Sequence, residues 1–263
     1  MSGKLKNAPV YFTLAQVRFN PILALESYAP KIQEGLRKNK YPDATKNVLT
    51  TLNFPLAGSS SESNPPVSVG QTPRFLFSDM ERTSVFILDI NAITFQSTRY
   101  DSFEKFSENF FLGLEIVHRE VVLDFIERIG IRYLDAVFPQ EGEKLQEYLA
   151  ESAMGLADKL EGELAYAFSE TLVRKGGINV LARAIIQKGQ VGFPPDLLPN
   201  VLNLDERFLK LEGLHATLDI DGSIEQRELF NCEMVQNRLD AIHGEIKKAF
   251  CATVTKNAMR IWG

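Results

Sequence analysis

The chain carries internal self-similarity, and a duplicated unit has to bury the same faces twice. Leu114-Glu115-Ile116-Val117-His118-Arg119-Glu120-Val121 matches Leu239-Asp240-Ala241-Ile242-His243-Gly244-Glu245-Ile246 in residue type at seven of eight positions. Arg119/Gly244 is the exception, and the offset is 239 − 114 = 125. The same offset pairs Phe125 with Phe250. Leu88-Asp89-Ile90-Asn91 matches Leu218-Asp219-Ile220-Asp221 at an offset of 130, and Val17-Arg18-Phe19 matches Ile131-Arg132-Tyr133 at 114. The matches keep one order, which predicts two copies of one unit, residues 1–125 and 126–263.

The hydrophobic pattern gives each copy the same element order. In the first, Pro9 to Phe19 reads as a strand. Leu23 to Lys40 reads as a helix, with Leu25, Tyr28, Ala29, Ile32 and Leu36 at helical spacing. Tyr41-Pro42 ends it, because the residue before proline disfavours helical angles. Strands follow near 46–56, 72–79 and 83–96, and Gly58 to Pro66 has the composition of a surface loop. Asp101 is a cap candidate for a helix running to about Asp124, with Phe103, Phe106, Phe110, Phe111, Leu114 and Val117 as its apolar stripe. The second copy reads as a strand near 126–138, a helix near 141–160, strands near 164–175, 178–188 and 211–225, and a helix near 230–258. Gly176-Gly177 between two apolar runs signals a hairpin. The expected fold is α+β: a duplicated strand, helix, three-strand, helix unit, with antiparallel sheets and helices on one face. That order resembles helix-grip or TATA-protein-like arrangements, a likeness that assigns no function.

Length and composition suit a water-soluble core. The 263 residues are 44% hydrophobic and 24% charged, enough to bury a core without disulfides or metal. The net charge of −5 argues against indiscriminate coating of nucleic acid. No run approaches the ~18 apolar residues of a membrane helix, and no signal segment follows the basic start. Cys232 and Cys251 are 251 − 232 = 19 residues apart on one expected helix, about 28 Å, so they are expected as free, buried thiols. The expected location is the reducing cytoplasm, away from membranes.

Arg128-Ile129-Gly130-Ile131-Arg132-Tyr133-Leu134 carries a resemblance. With Ala8-Pro9, Lys40-Tyr41-Pro42, Leu218 to Asp221, His243 to Phe250 and Val254-Thr255, the chain resembles a sporadically distributed prokaryotic family of uncharacterised proteins over nearly its full length. The resemblance implies no activity, cofactor or catalytic residue. The patchy occurrence of such families implies a mobile or host-defence gene set.

Motifs for common chemistry are missing. Lys175-Gly176-Gly177-Ile178 is no phosphate loop, and neither a dinucleotide-type glycine motif nor a nucleophile elbow occurs. Only His118, His215 and His243 are present. His118/Glu120 and His243/Glu245 lie about 200° apart around their helices and share no metal face. Symmetry would bring His118 towards His243, as hydrogen-bonding partners or as a metal pair. Cys232 and His243 lie about 16 Å apart along one helix, too far for a nucleophile and base. Glu104/Glu108 and Glu147/Glu151 read as solvated helix faces, and enzymatic use of distant carboxylates stays open. No catalytic residue, metal ligand or cofactor is assigned.

Polar residues inside strands are the candidate binding positions: Arg18, Arg128, Arg132, Arg183, His215 and Asp219. By the two-residue period, Arg128, Gly130, Arg132 and Leu134 face away from Ile129, Ile131, Tyr133 and Val137. His215, Thr217, Asp219 and Asp221 share a face likewise. Either these groups pair across strands, or they form a surface that engages a partner. Gly130 is expected to leave open space beside Arg132, whose expected partner is Asp219, with about 1–3 kcal/mol lost in Arg132→Ala. The leading functional expectation is a non-catalytic binding or regulatory subunit with a protein partner, self or heterologous. The alternative is nucleic-acid binding by the sheet face, using Arg18, Arg128, Arg132, Arg174, Lys175 and Arg183. A third is a small-ligand pocket lined by Phe103, Phe106, Phe110 and Phe111.

Overall fold

The computed structural model describes residues 5–53, 68–197 and 202–263, so the expected Gly58–Pro66 loop lies outside the described residues. Among them, nine strands and six helices follow in the order β1 (Val10–Phe19), α1 (Leu25–Lys38), β2 (Asp43–Asn53), β3 (Ser68–Ser78), β4 (Ser84–Asp89), β5 (Ala92–Ser97), α2 (Phe103–Val121), β6 (Phe125–Val137), α3 (Glu151–Met154), β7 (Tyr166–Lys175), β8 (Ile178–Gln190), α4 (Glu206–Leu209), β9 (Glu212–Leu229), α5 (Cys232–Thr253) and α6 (Lys256–Trp262). The fold is α+β. One antiparallel sheet has the order β2-β3-β4-β5-β1-β6-β9-β8-β7, so the strands that open the two halves, β1 and β6, pair at its centre.

Alternation along these central strands divides the sheet into two faces. Ala15, Val17 and Phe19 of β1 and Ile129, Ile131 and Tyr133 of β6 are buried beneath the long helices, in a core that draws on both halves of the chain. On α2, Phe106, Phe110, Leu114 and Val117 are buried in that core, with Phe103 and Phe111 packed against it. The aromatic stripe expected to line a ligand pocket is therefore packing: Phe95 and Phe106 lie 5.2 Å apart and Phe110 and Phe111 5.5 Å. The helix is capped one residue later than expected. Ser102 is extended and its hydroxyl accepts from the Lys105 amide, while Asp101 pairs with the Lys105 ammonium. Ser102→Ala should lower stability by about 1 kcal/mol in urea titration, and Asp101→Ala by under about 0.5 kcal/mol, since its exposed pair is screened.

Several boundaries differ from expectation for local physical reasons. The run 83–96 is two strands, β4 and β5, folded back at Ile90-Asn91, so the first half has four strands after α1 instead of three. The Phe19 and Ile22 amides donate to the Asn91 and Ile90 carbonyls, which fixes that turn against the end of β1. Leu88 to Asn91 thus ends a strand and makes a turn, whereas Leu218 to Asp221 lies within uninterrupted β9, so these matching segments play different parts. The helix expected at 141–160 is three short pieces, Leu145–Glu147, α3 and Gly155–Asp158. Leu149 bridges to Val254 and the Ala150 amide donates to the Thr253 carbonyl, which takes the backbone out of a helix. Gly155 at φ +55° then ends α3. Extended Val254 divides the last expected helix into α5 and α6. Both cysteines sit on α5 as free thiols, but Cys232 is half-buried and Cys251 exposed, not both buried.

The face opposite the long helices is partly covered by the β8–β9 connection. A bulge between Val10 and Phe12 turns both Tyr11 and Phe12 to this face. Phe193 stacks edge-on against both, at 5.5 and 5.3 Å, and Phe208 of α4 packs on Tyr11. The Tyr11 hydroxyl donates to the Gly192 carbonyl. Farther on, the Asn203 amide donates to the Arg82 carbonyl and Thr98 donates to the Asn203 carbonyl, so the connection straps β8 to the turn before β4 and the end of β5.

Candidate functional site

Register places the predicted arginines on the strap face. Leu14 of β1 and Asp221 of β9 flank Arg132 on β6, and Arg183 on β8 lies opposite Asp219 on β9. The Arg132 guanidinium makes two bonds to Asp219, Nε to Oδ1 at 2.6 Å and the second Nη to Oδ2 at 2.7 Å. It makes two more to Asp196, contributed by the strap. The Arg132 side chain is 8% exposed, that of Asp219 0%, and that of Asp196 60%. Burial alone would weaken the guanidinium's hold on its proton, but Asp219 and Asp196 outweigh burial and raise its pKa. Arg132 holds the Asp196 carboxyl below the ordinary range. Arg183 donates to Asp219 at 3.2 Å and to Glu170 of β7 at 2.7 Å, so a ribbon of alternating charge crosses β6, β9, β8 and β7.

The remaining predicted positions do not join this centre equally. Arg128 lies over Gly130, where an added Cβ would be 2.7 Å from its Nη, so the space expected beside Arg132 is filled by Arg128. Arg128 pairs loosely with Asp221 and Glu225, at 3.6 and 3.7 Å. Burial raises the Asp221 carboxyl. Arg18 is exposed beside Arg128 on β1. His215 is fully buried, stacked on Phe138 at 4.5 Å, with Nδ1 bonded to the Gly213 carbonyl and Nε2 without a partner among the described residues. Burial lowers its pKa, which favours the neutral ring. Of the wider set of basic residues, Arg174 is exposed and Lys175 turns to the helix face to meet Glu245. Asp196 and Glu170 were missed; only the strap's path brings Asp196 here, while Glu170 alternates in phase with Leu172 and Arg174.

A second polar group lies under the helices. Tyr133 shares a 3.0 Å hydrogen bond with His243 Nδ1, and His243 stacks on Phe103 at 3.9 Å. His118 instead stacks on Phe230 and accepts from the Leu123 amide, about 22 Å along α2 from Phe103. The two histidines expected to approach one another do not meet. Burial lowers His243 to about 4. On the same strand Asp135 is buried, and burial pushes its carboxyl up to about 7. Among the described residues, no three His, Cys, Asp or Glu side chains gather to hold a metal.

The sheet ends at β7, and this edge carries apolar groups on both faces. Tyr166, Phe168 and Leu172 are 58, 48 and 51% exposed on the strap side, and Val173 is 53% exposed on the other. Where the first half lays α1 along α2, the second half has only the short turns around α3. A groove of about 390 Å³ remains between β7–β8 and α5, floored by Val173, Val180 and Ala182 and walled by Ala249 and Ala252. An exposed strand edge with unpaired amides is a template for another chain. No helix among the described residues is long and apolar enough to cross a membrane. In comparison with known proteins, no family model, curated protein or solved structure matches this chain.

Proposed function

We propose that this chain is a non-catalytic binding or regulatory subunit that works through protein–protein contact, with β7 as its contact edge. The observation that carries this reading is the exposure of aromatic and aliphatic side chains on both faces of a ten-residue terminal strand. Strand edges in isolated proteins are blunted by charge, proline or covering elements, and β7 has little of these between Tyr166 and Val173. The arginines of the strap face support the same reading by being occupied. Arg128, Arg132 and Arg183 meet Glu170, Asp196, Asp219, Asp221 and Glu225, three cations against five carboxylates. A phosphate backbone needs free cations in a strip, and exposed Arg18 and Arg174 stand on strands separated by β6, β9 and β8.

We also read the fold as a diverged duplication. Its support is the antiparallel pairing of β1 with β6 and a reciprocal stacking: His243 of α5 on Phe103 at the start of α2, and His118 of α2 on Phe230 just before α5.

The contact-edge reading is tested by the double variant Phe168→Lys/Leu172→Lys. The full chain, purified from its own cells, should be found bound to itself or to another polypeptide, and the double variant to neither, at unchanged unfolding midpoint. A partner kept by the variant, or turnover of a substrate by the purified chain, overturns the reading.

A further inference from the structure

We propose that β7 joins a second copy of this chain, strand to strand and antiparallel, about a twofold axis at Leu172. This rests on the reading of β7 as a contact edge and names its occupant. The hairpin turn Gly176-Gly177 has two residues, both at positive φ (+56° and +82°), and is closed by Lys175 opposite Ile178. The closing pair of such a turn is hydrogen-bonded, and bonded pairs then alternate along the ladder. Residues 175, 173, 171, 169 and 167 therefore spend their amides on β8. Residues 174, 172, 170, 168 and 166 turn theirs to the open edge.

A symmetric antiparallel partner has to match outward amides with outward amides. Centring the pair on Leu172 does so, setting Leu172 against Leu172 and Glu170 against Arg174 of the other copy, twice by symmetry. The two ionic pairs lie on the strap face, where Glu170 already bonds Arg183 and where Arg174 is exposed. On the helix face the same register sets Thr171 against Val173, both β-branched and suited to cross-strand packing. Centring on Glu170 would oppose two carboxylates, and centring on Thr171 would place Glu170 against Leu172. Charge thus selects one register of the three. The opposite edge offers no such match: Asp43 and Lys46 of β2 are three residues apart, hence on opposite faces, and bond Arg82 and Glu26 within the chain. The turn Gly155–Asp158, which lies against β7, adds exposed Leu156 beside the edge.

Sedimentation velocity of the full chain over a wide concentration range should show a monomer–dimer equilibrium. Arg174→Glu makes the edge acidic and Glu170→Arg makes it basic, so each variant alone should weaken dimerisation by about tenfold or more. An equimolar mixture of the two restores both ionic pairs and should dimerise like the wild type. In a Cys232→Ser/Cys251→Ser background, Leu172→Cys should oxidise to a cross-linked dimer and Thr171→Cys far less. This second measurement stands even where Glu170→Arg, having lost its bond to Arg183, folds poorly. A monomer at every concentration with no cross-link through Leu172→Cys overturns the proposal, as does a dimer that survives Leu172→Lys. If another polypeptide is then found on β7, only the second copy falls; if none is, the contact-edge reading falls with it.

Discussion

Arg132→Ala should lower the unfolding free energy by about 3–5 kcal/mol in urea titration, above the 1–3 kcal/mol expected for one lost charged hydrogen bond. The difference comes from the group left behind. Asp219 has a fully buried side chain, and without Arg132 its remaining cation among the described residues is Arg183 at 3.2 Å. A buried carboxylate stripped of a two-bond partner has neither water nor an adequate counter-charge. Arg183→Ala should cost nearer 1 kcal/mol, because Asp219 keeps both bonds to Arg132. Arg132→Met/Asp219→Leu, which removes both charges, should recover most of the loss. An Arg132→Ala protein as stable as the wild type would show that the pair is not structural, and would return Arg132 to the surface that meets a partner.

Asp135→Asn should stabilise the protein by about 2–4 kcal/mol above pH 7 and by almost nothing near pH 4. Burial holds the folded carboxyl near 7, against 3.8 for a free one. Below about pH 4 the group is protonated in both states. As pH rises the unfolded chain releases its proton first, so stability is lost between about pH 4 and pH 7, each unit being worth up to 1.36 kcal/mol. Asparagine resembles the neutral carboxyl and has no proton to lose. His243 acts in the opposite direction, since its folded value near 4 lies below 6.5 and stability is lost as pH falls through that window. Subtracting the wild-type profile from that of Asp135→Asn removes the histidine's part. A difference that stays flat from pH 4 to pH 8 would refute a buried neutral Asp135.

The strands were legible where side-chain alternation is regular. On β6 the two-residue period separates Arg128, Gly130 and Arg132 from Ile129, Ile131 and Tyr133, and on β9 it aligns Thr217, Asp219 and Asp221, so the Arg132–Asp219 contact followed from facing and charge. Asp196 was not legible, because it reaches Arg132 across 64 residues of sequence along a path set by Phe193 packing on Tyr11 and Phe12. The bulge at Tyr11 carries no glycine or other local mark. Between 141 and 160 the apolar spacing suits a helix, but bonds to Thr253 and Val254 compete for the backbone, and a local pattern does not contain them. The β7 edge was hidden for another reason. Apolar residues on both faces normally mark an interior strand, and only the sheet order reveals that β7 is terminal.

The strap bears on how the native state comes apart. Its anchors at Asn203 join residues 105 and 122 positions away, at Thr98 and Glu81, on a sheet built from hairpins and three long-range seams, β1–β5, β1–β6 and β6–β9. Closing so long a loop is entropically unfavourable until both halves of the sheet are in place to receive it. Because its anchors lie in the first half of the chain while it leaves β8 in the second, docking of Asn203 and Asp196 should follow assembly of the sheet, and their release should be a sub-global opening that leaves the ladder intact. In that opened state Asp196 would leave Arg132 and Tyr11 would meet water while the strands remain paired, giving the charged ribbon a wet, partly released form below the free energy of complete unfolding.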